Sequence, residues 1–218
     1  MTSPIQAALR NAQRTGTILF VFAAIGTAML AFTHDRTEPT ITRGQLAEKR
    51  ALLGQVLPAT LYDNDLLSTQ QSVPPDDLLG TRQPSALWLA RRGSQFSGVV
   101  LEAVAPDGYS GDISLLIGID ANGTVTGVRV TAHHETPGLG DYIDHAKSAW
   151  IDQFAGKSLT APEPKHWKVA KDGGVFDARA GATITPRAVV KAVKSALDYF
   201  ARHRAVFAAP PASKETPP

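Results

Sequence analysis

Asp177-Ala178-Arg179-Ala180-Gly181-Ala182-Thr183-Ile184-Thr185-Pro186 decides how the C-terminal part of this chain folds. The stretch sets small residues and hydroxyls directly ahead of a helix start. Thr185 has the side chain of an N-cap, and Pro186 suits the first helical position. Beyond them Val189, Val190, Val193, Leu197 and Phe200 recur at helical spacing, which predicts a buried stripe on a helix running to about Arg204. A helix start presents free N–H groups and the positive end of its dipole, so an anion, most naturally a phosphate, is favoured beside it. Gly181 and Ala182 leave room for a bulky phosphorylated group to approach the backbone. On local pattern alone the segment also reads as an ordinary turn between strand and helix.

A second stretch, His133-His134-Glu135-Thr136-Pro137-Gly138-Leu139-Gly140-Asp141, lies about forty residues upstream. Pro137-Gly138 is a strong turn signal, and Gly138 and Gly140 permit backbone angles closed to other residues. Such a loop can bring backbone groups against the edge of a planar ring.

Together the two stretches resemble the FMN-binding domain family found in the RnfG and NqrC subunits of bacterial respiratory complexes. The family's flavinylation motif is an Asp, two variable residues, Ser or Thr, a small residue, then Ala-Thr. A flavin transferase joins FMN through its phosphate to the last threonine. Asp177, Gly181, Ala182 and Thr183 match, whereas Ala180 stands where the family usually has Ser or Thr. Glu135 to Gly140 looks like the family's other signature, an ETPGLG loop lining the flavin pocket. The resemblance covers about residues 95–205. It implies covalent FMN on Thr183, with Asp177, Gly181, Ala182, Glu135, Thr136, Gly138, Leu139 and Gly140 around the cofactor. Arg187 is the cation best placed to neutralise the phosphate, ahead of Lys147 and Lys171.

The N-terminus supplies an anchor. No charged residue occurs from Thr15 to Thr33, and Ile18 to Phe32 is almost wholly apolar. A helix of about 19 residues at ~1.5 Å each nearly matches a hydrocarbon core of ~30 Å. Arg10 and Arg14 precede it, which points the N-terminus to the cytoplasm and the rest of the chain outward. A cleaved signal peptide is the competing reading, but its apolar region would be unusually long and no Ala-x-Ala site follows.

Composition narrows the chemistry. The net charge is +2 with no dense basic run, so nucleic acid is not an expected partner. There is no cysteine, which excludes disulfides, thiolate-held iron–sulfur clusters and C-x-x-C-H haem attachment. An electron carrier on this chain therefore needs a cofactor held some other way. His133 and His134 are adjacent, point to opposite sides of a strand and have no ligand cluster nearby, so no metal site is expected. Glu135 and Asp141 sit in a turn-rich loop, where acids serve solubility more often than catalysis, and no catalytic residue is assigned. Trp150 and Trp167 are expected in the core.

Strand-like runs occupy Ser97–Ala105, Ile113–Asp120 and Val125–Ala132, with a hairpin turn at Ala121-Asn122-Gly123. Tyr142–Phe154 reads as a helix, and Trp167–Ala170 as a short strand. The expected organisation is a cytoplasmic N-terminus at 1–14 and a single transmembrane helix at 15–34. A membrane-proximal helix (40–57) and an irregular segment fill 35–94, an FMN-binding domain 95–206, and a disordered tail 207–218. The fold class is α+β, with a mainly antiparallel sheet and flanking helices. The resemblance implies a flavoprotein subunit of an Rnf-type ion-translocating electron transport complex in the bacterial inner membrane. It would relay electrons between ferredoxin and NAD through FMN, partnered by membrane and peripheral subunits, lipid and the flavin transferase. An NqrC-like subunit of a Na⁺-pumping NADH:quinone reductase is the alternative within the family. An anchored assembly or binding module without flavin is the alternative outside it.

Overall fold

The computed structural model describes the backbone of residues 4–210, and side chains within it except at 4–11, 35 and 37–43. The chain divides into two compact units, the second beginning at Arg50. The first unit is helical throughout its described length, as part of α1 (Pro4–Val56). Ala12–His34 of that helix is long and apolar enough to cross a membrane, and none of it is covered by protein. Phe20, Phe22, Met29 and Leu30 all stand exposed. The two helical stretches expected from the sequence, 15–34 and 40–57, thus belong to one element, which ends two residues before Pro58.

The second unit is built on a five-stranded antiparallel sheet in simple sequential order. Its strands are β1 (Gln70–Val73), β2 (Ser85–Arg92), β3 (Gln95–Gly108), β4 (Gly111–Asp120) and β5 (Val125–Ala132). The last three coincide closely with the expected strands. The first two correct the expectation of an irregular segment. β1 is a polar edge strand that its pairing, not its composition, creates: Gln70, Gln71, Ser72 and Val73 pair with Trp88, Leu87, Ala86 and Ser85. β2 carries the apolar run Ala86-Leu87-Trp88-Leu89-Ala90, hidden at sequence level behind a Pro-rich approach.

Alternation along β3 divides the core in two. Val99, Leu101, Ala103 and Ala105 belong to the larger cluster, which is completed by α2 (Ile184–Ala208) through Val189, Val193, Ala196, Leu197 and Phe200. All five members of the expected helical stripe are buried. Phe207 is buried as well, so 207 and 208 belong to α2 and not to a tail; the tail from 211 onward lies outside the described residues. Val100 points to the opposite face, where Leu53, Val56, Leu57 and Leu66 cover Trp88 and Leu116. A paired couple of glycines, Gly118 and Gly127, makes that approach possible. A Cβ on Gly118 would stand 2.1 Å from the Val56 carbonyl oxygen, which instead accepts a hydrogen bond from Thr126 Oγ1.

Between β5 and α2 the chain is irregular. The expected helix 142–154 is replaced by two short 3₁₀ turns, Asp141–Ile143 and Ala149–Phe154. The residues between them compete for their own backbone. Asp144 Oδ1 accepts from the Ala146 N–H at 2.9 Å, and Ser148 Oγ donates to the Tyr142 carbonyl at 2.6 Å. Trp167–Ala170 forms only a bridge, Val169 to Phe176, and not a strand. Phe154, Trp167 and Phe176 group together in the core beneath these turns, and Trp150, expected in the core, is partly buried and packs edge-on against Phe154.

Candidate functional site

The two signature stretches meet at the N-terminus of α2. A cleft of about 120 Å³ opens there between Tyr109, Glu135, Thr136, Leu139, Gly140, Gly181, Ala182, Thr183, Ile184 and Thr185. Seven of the ten candidate residues named from sequence line it. Tyr109, Ile184 and Thr185 join them, and Gly138, Asp177 and Arg187 do not.

The first wall is the 135–141 turn. Leu139 and Gly140 both donate their N–H to the Thr136 carbonyl, at 3.1 and 3.0 Å. Gly138 supplies the left-handed φ of +77° that closes the turn, and its N–H donates to the buried Asp141 carboxylate at 2.8 Å. Glu135 is only 4 % exposed, and its two oxygens tie three elements together. Oε1 accepts from the Ser110 N–H at 3.0 Å, in the β3–β4 turn, and Oε2 accepts from the Thr185 hydroxyl in α2. Gly140 lies against this carboxylate, where a Cβ would come within 2.8 Å of Oε2. The acid given no role beyond the pocket lining is therefore the fastening of the site.

The second wall is the 177–183 loop. Asp177 faces solvent, and its backbone is held on both sides: its N–H donates to Gln153 Oε1 at 2.8 Å, and its carbonyl accepts from Trp150 Nε1 at 2.7 Å. Tyr142, which nothing in the sequence marked, braces the rest. Its hydroxyl accepts from the Arg179 N–H and donates to the Ala182 carbonyl, each at 3.2 Å. Burial pushes the pKa of this phenol above its ordinary value, so it stays protonated and keeps donating. Arg179 lies 4.6 Å over the Tyr142 ring, fixing a guanidinium on the motif loop itself. Gly181, with φ of +85°, turns the chain into the cleft beside Leu139.

The helix start differs from the expectation. α2 begins at Ile184, which makes Thr183 the N-cap, and places Thr185 and Pro186 at the second and third helical positions. Thr183 has φ −92° and ψ −23°, outside the extended region usual for a capping residue, and its hydroxyl makes no capping hydrogen bond. Thr185 is not a cap. Its oxygen is engaged by Glu135 and it is 2 % exposed. The half-buried Thr183 thus lines the cleft at the start of α2, where the N–H groups of Ile184 and Thr185 precede the first intrahelical carbonyl and Pro186 has no N–H.

Arg187 is also corrected. Its guanidinium grips Asp172 with two hydrogen bonds of 2.6 Å, away from the cleft, and these bonds hold the Asp172 carboxyl below the usual range. Position two residues past the expected cap could not reveal this partner, fifteen residues back in an irregular segment. Arg187→Gln is accordingly expected to leave flavin content unchanged; a clear loss at unchanged protein yield, read by absorbance, would return Arg187 to the site.

Comparison with known proteins finds relatives along most of the chain. Residues 108–198 match the model of the FMN-binding domain, and residues 1–56 that of the RnfG N-terminal region. The G subunit of the ion-translocating oxidoreductase complex of Yersinia pestis is 49 % identical over 192 residues, covering 88 % of this chain and 91 % of that protein. The chain belongs to the RnfG family. The corresponding subunits of Pseudomonas aeruginosa and Aliivibrio fischeri are 47 % and 42 % identical, covering 92 % and 95 % of this chain and 94 % and 99 % of theirs. The crystal structure of Shewanella oneidensis NqrC is similar with a TM-score of 0.46 and 23 % identity, covering 66 % of this chain and 74 % of that one. Among the described residues no group of His, Cys, Asp and Glu is arranged to hold a metal ion.

Proposed function

We propose that this chain is the flavin-carrying subunit of an ion-translocating oxidoreductase complex, with FMN esterified through its phosphate to Thr183. One observation carries the site: the Thr183 hydroxyl occupies the N-cap position of α2 without a capping bond, on the cleft where both signature loops meet. An unengaged hydroxyl is what a phosphoester requires, and first-turn N–H groups with the helix dipole stabilise the attached phosphate. Gly181 and Ala182 keep the approach free of bulk. FMN bound here supplies the electron-accepting ring that no side chain provides. The residues of the chain orient it: Glu135 fixes the turn that forms one wall, and Tyr142 fixes the loop that carries the ester.

The cleft is smaller than the ~300–1,000 Å³ of pockets that enclose a ligand. A tricyclic ring seated in it keeps part of its surface open, which suits exchange of electrons with a neighbouring protein of the complex. The apolar helix Ala12–His34 serves as a single-pass anchor, with Arg10 and Arg14 on the cytoplasmic side and the flavin unit outside the inner membrane. On this reading the chain has no soluble substrate of its own, and a flavin transferase completes its maturation. The electrons would come from the ferredoxin–NAD exchange of an Rnf-type complex.

In-gel ultraviolet fluorescence of the denatured full chain, made with the transferase, tests the central claim. A fluorescent band is expected, since only covalent flavin survives denaturation. A dark band at full protein loading would favour the anchored module without flavin.

A further inference from the structure

We propose that Tyr109 is a wall of the flavin seat, its ring lying against the isoalloxazine in the cleft it lines together with Leu139 and Ile184. The proposal rests on the reading that Thr183 carries FMN. Tyr109 belongs to neither signature stretch. It sits at the tip of the β3–β4 hairpin, between the paired residues Gly108 and Gly111. The residue is 67 % exposed, yet it lines the cleft. Exposure of that extent on a hairpin tip ordinarily accompanies a loose turn, but here the tip is tied down on both sides. Asp107 accepts an ion pair from Lys191 of α2, and the Ser110 N–H donates to the buried Glu135 carboxylate. Both anchors lead to elements that form the cleft. The fold thus places a large aromatic at the rim, with its neighbours Asp107 and Ser110 both bonded to elements of the cleft, while giving it little to cover.

Leu139 and Ile184 share this condition, being 45 % and 47 % exposed. Three sizeable apolar side chains therefore surround one small cleft next to the candidate ester oxygen. A flat ring tethered at Thr183 has the area to cover them. Aromatic pairs favour offset-stacked or edge-to-face contact, and that preference shifts a stacked-to-open ratio by roughly 2- to 10-fold.

Flavin emission reports such a contact directly. When a phenol is stacked on an excited flavin, one electron passes from the phenol to the flavin and returns within the same pair, so emission is lost and nothing is consumed. Phenylalanine keeps the flat face but donates an electron far less readily, and leucine keeps neither property. The test uses full-length wild type, Tyr109→Phe and Tyr109→Leu, each made with the flavin transferase and checked for the FMN increment by intact mass. At equal loading, native flavin fluorescence is expected to rise at least about twofold in both variants. The three proteins should become equal once denatured. Visible circular dichroism of the flavin should persist in Tyr109→Phe and fall in Tyr109→Leu, a split that a merely structural role of the hairpin tip would not produce. Equal native fluorescence in all three at equal loading would overturn the Tyr109 contact and leave the Thr183 assignment standing. A wild-type protein without the mass increment would overturn the Thr183 assignment and the contact with it.

Discussion

Thr183→Ala is expected to remove covalent FMN completely while leaving the second unit folded. Only a hydroxyl can form the phosphoester, and the methyl group of alanine offers none. Losing an N-cap threonine usually costs about 0.5–2 kcal/mol, but that figure reflects a capping hydrogen bond, and Thr183 makes none. The thermal midpoint should therefore stay close to that of unflavinylated wild type. Thr185→Ala is the informative contrast. Its hydroxyl already donates to Glu135 in a buried site, so alanine there should cost about 1.5–3 kcal/mol, the range for a hydrogen bond to a charged group, and keep the flavin. Intact-mass spectrometry of both variants, made with the transferase, reads the result. An FMN-sized increment surviving on Thr183→Ala would refute the site. Its loss from Thr185→Ala alone would move the ester two residues along.

The same pair of threonines shows what the sequence could and could not reveal. The helical stripe from Val189 to Phe200 announced α2, because burial at a period near 3.6 is a local property of the chain. Strands β3 to β5 and the turn after Asp120 were equally legible. Asp120 Oδ1 accepts the N–H groups of Asn122 and Thr124 there, and Gly123 takes φ of +87°. The cap register was not legible. Thr185 and Pro186 have the preferred residue types for an N-cap and a first helical position, but the helix starts two residues ahead of that register, and the Thr185 hydroxyl is bonded to Glu135, fifty residues upstream, instead of capping. Arg187 was misplaced for the same kind of reason, through Asp172. Tyr142 and Tyr109 were missed because their roles come from loops brought together only by the fold. β1 could not be read at all, since Gln70-Gln71-Ser72 becomes a strand only by pairing with β2. Motif residues pointed to the cleft where the candidate site lies; long-range polar partners set its geometry.

Glu135 is the residue whose loss should affect fold and cofactor together. Its carboxylate is buried and receives the Ser110 N–H and the Thr185 hydroxyl, so it joins the β3–β4 hairpin, the 135–141 turn and the start of α2. Glu135→Ala removes the acceptor from the buried Thr185 hydroxyl and from the part-buried Ser110 N–H at once. Hydrogen bonds to charged groups are worth about 1.5–3 kcal/mol each, and abandoned buried donors are not re-solvated without rearrangement. Allowing for partial entry of water into the space left behind, a loss of about 2–4 kcal/mol is expected. The fall should be visible as a lower urea midpoint at unchanged slope. Glu135→Gln separates charge from contact. Its amide oxygen can still accept from Ser110, and its amide N–H can donate to Thr185 Oγ1, whose hydroxyl proton then turns away. The glutamine variant should therefore keep most of the stability that alanine loses. If the seat depends on geometry, Glu135→Gln also retains covalent flavin at near wild-type level, whereas Glu135→Ala, with both walls released, is flavinylated poorly. Equal urea midpoints for wild type and Glu135→Ala would show that the carboxylate does not fasten the site. Wild-type stability in Glu135→Gln with flavin lost would show that its charge, and not its contacts, is what cofactor attachment needs.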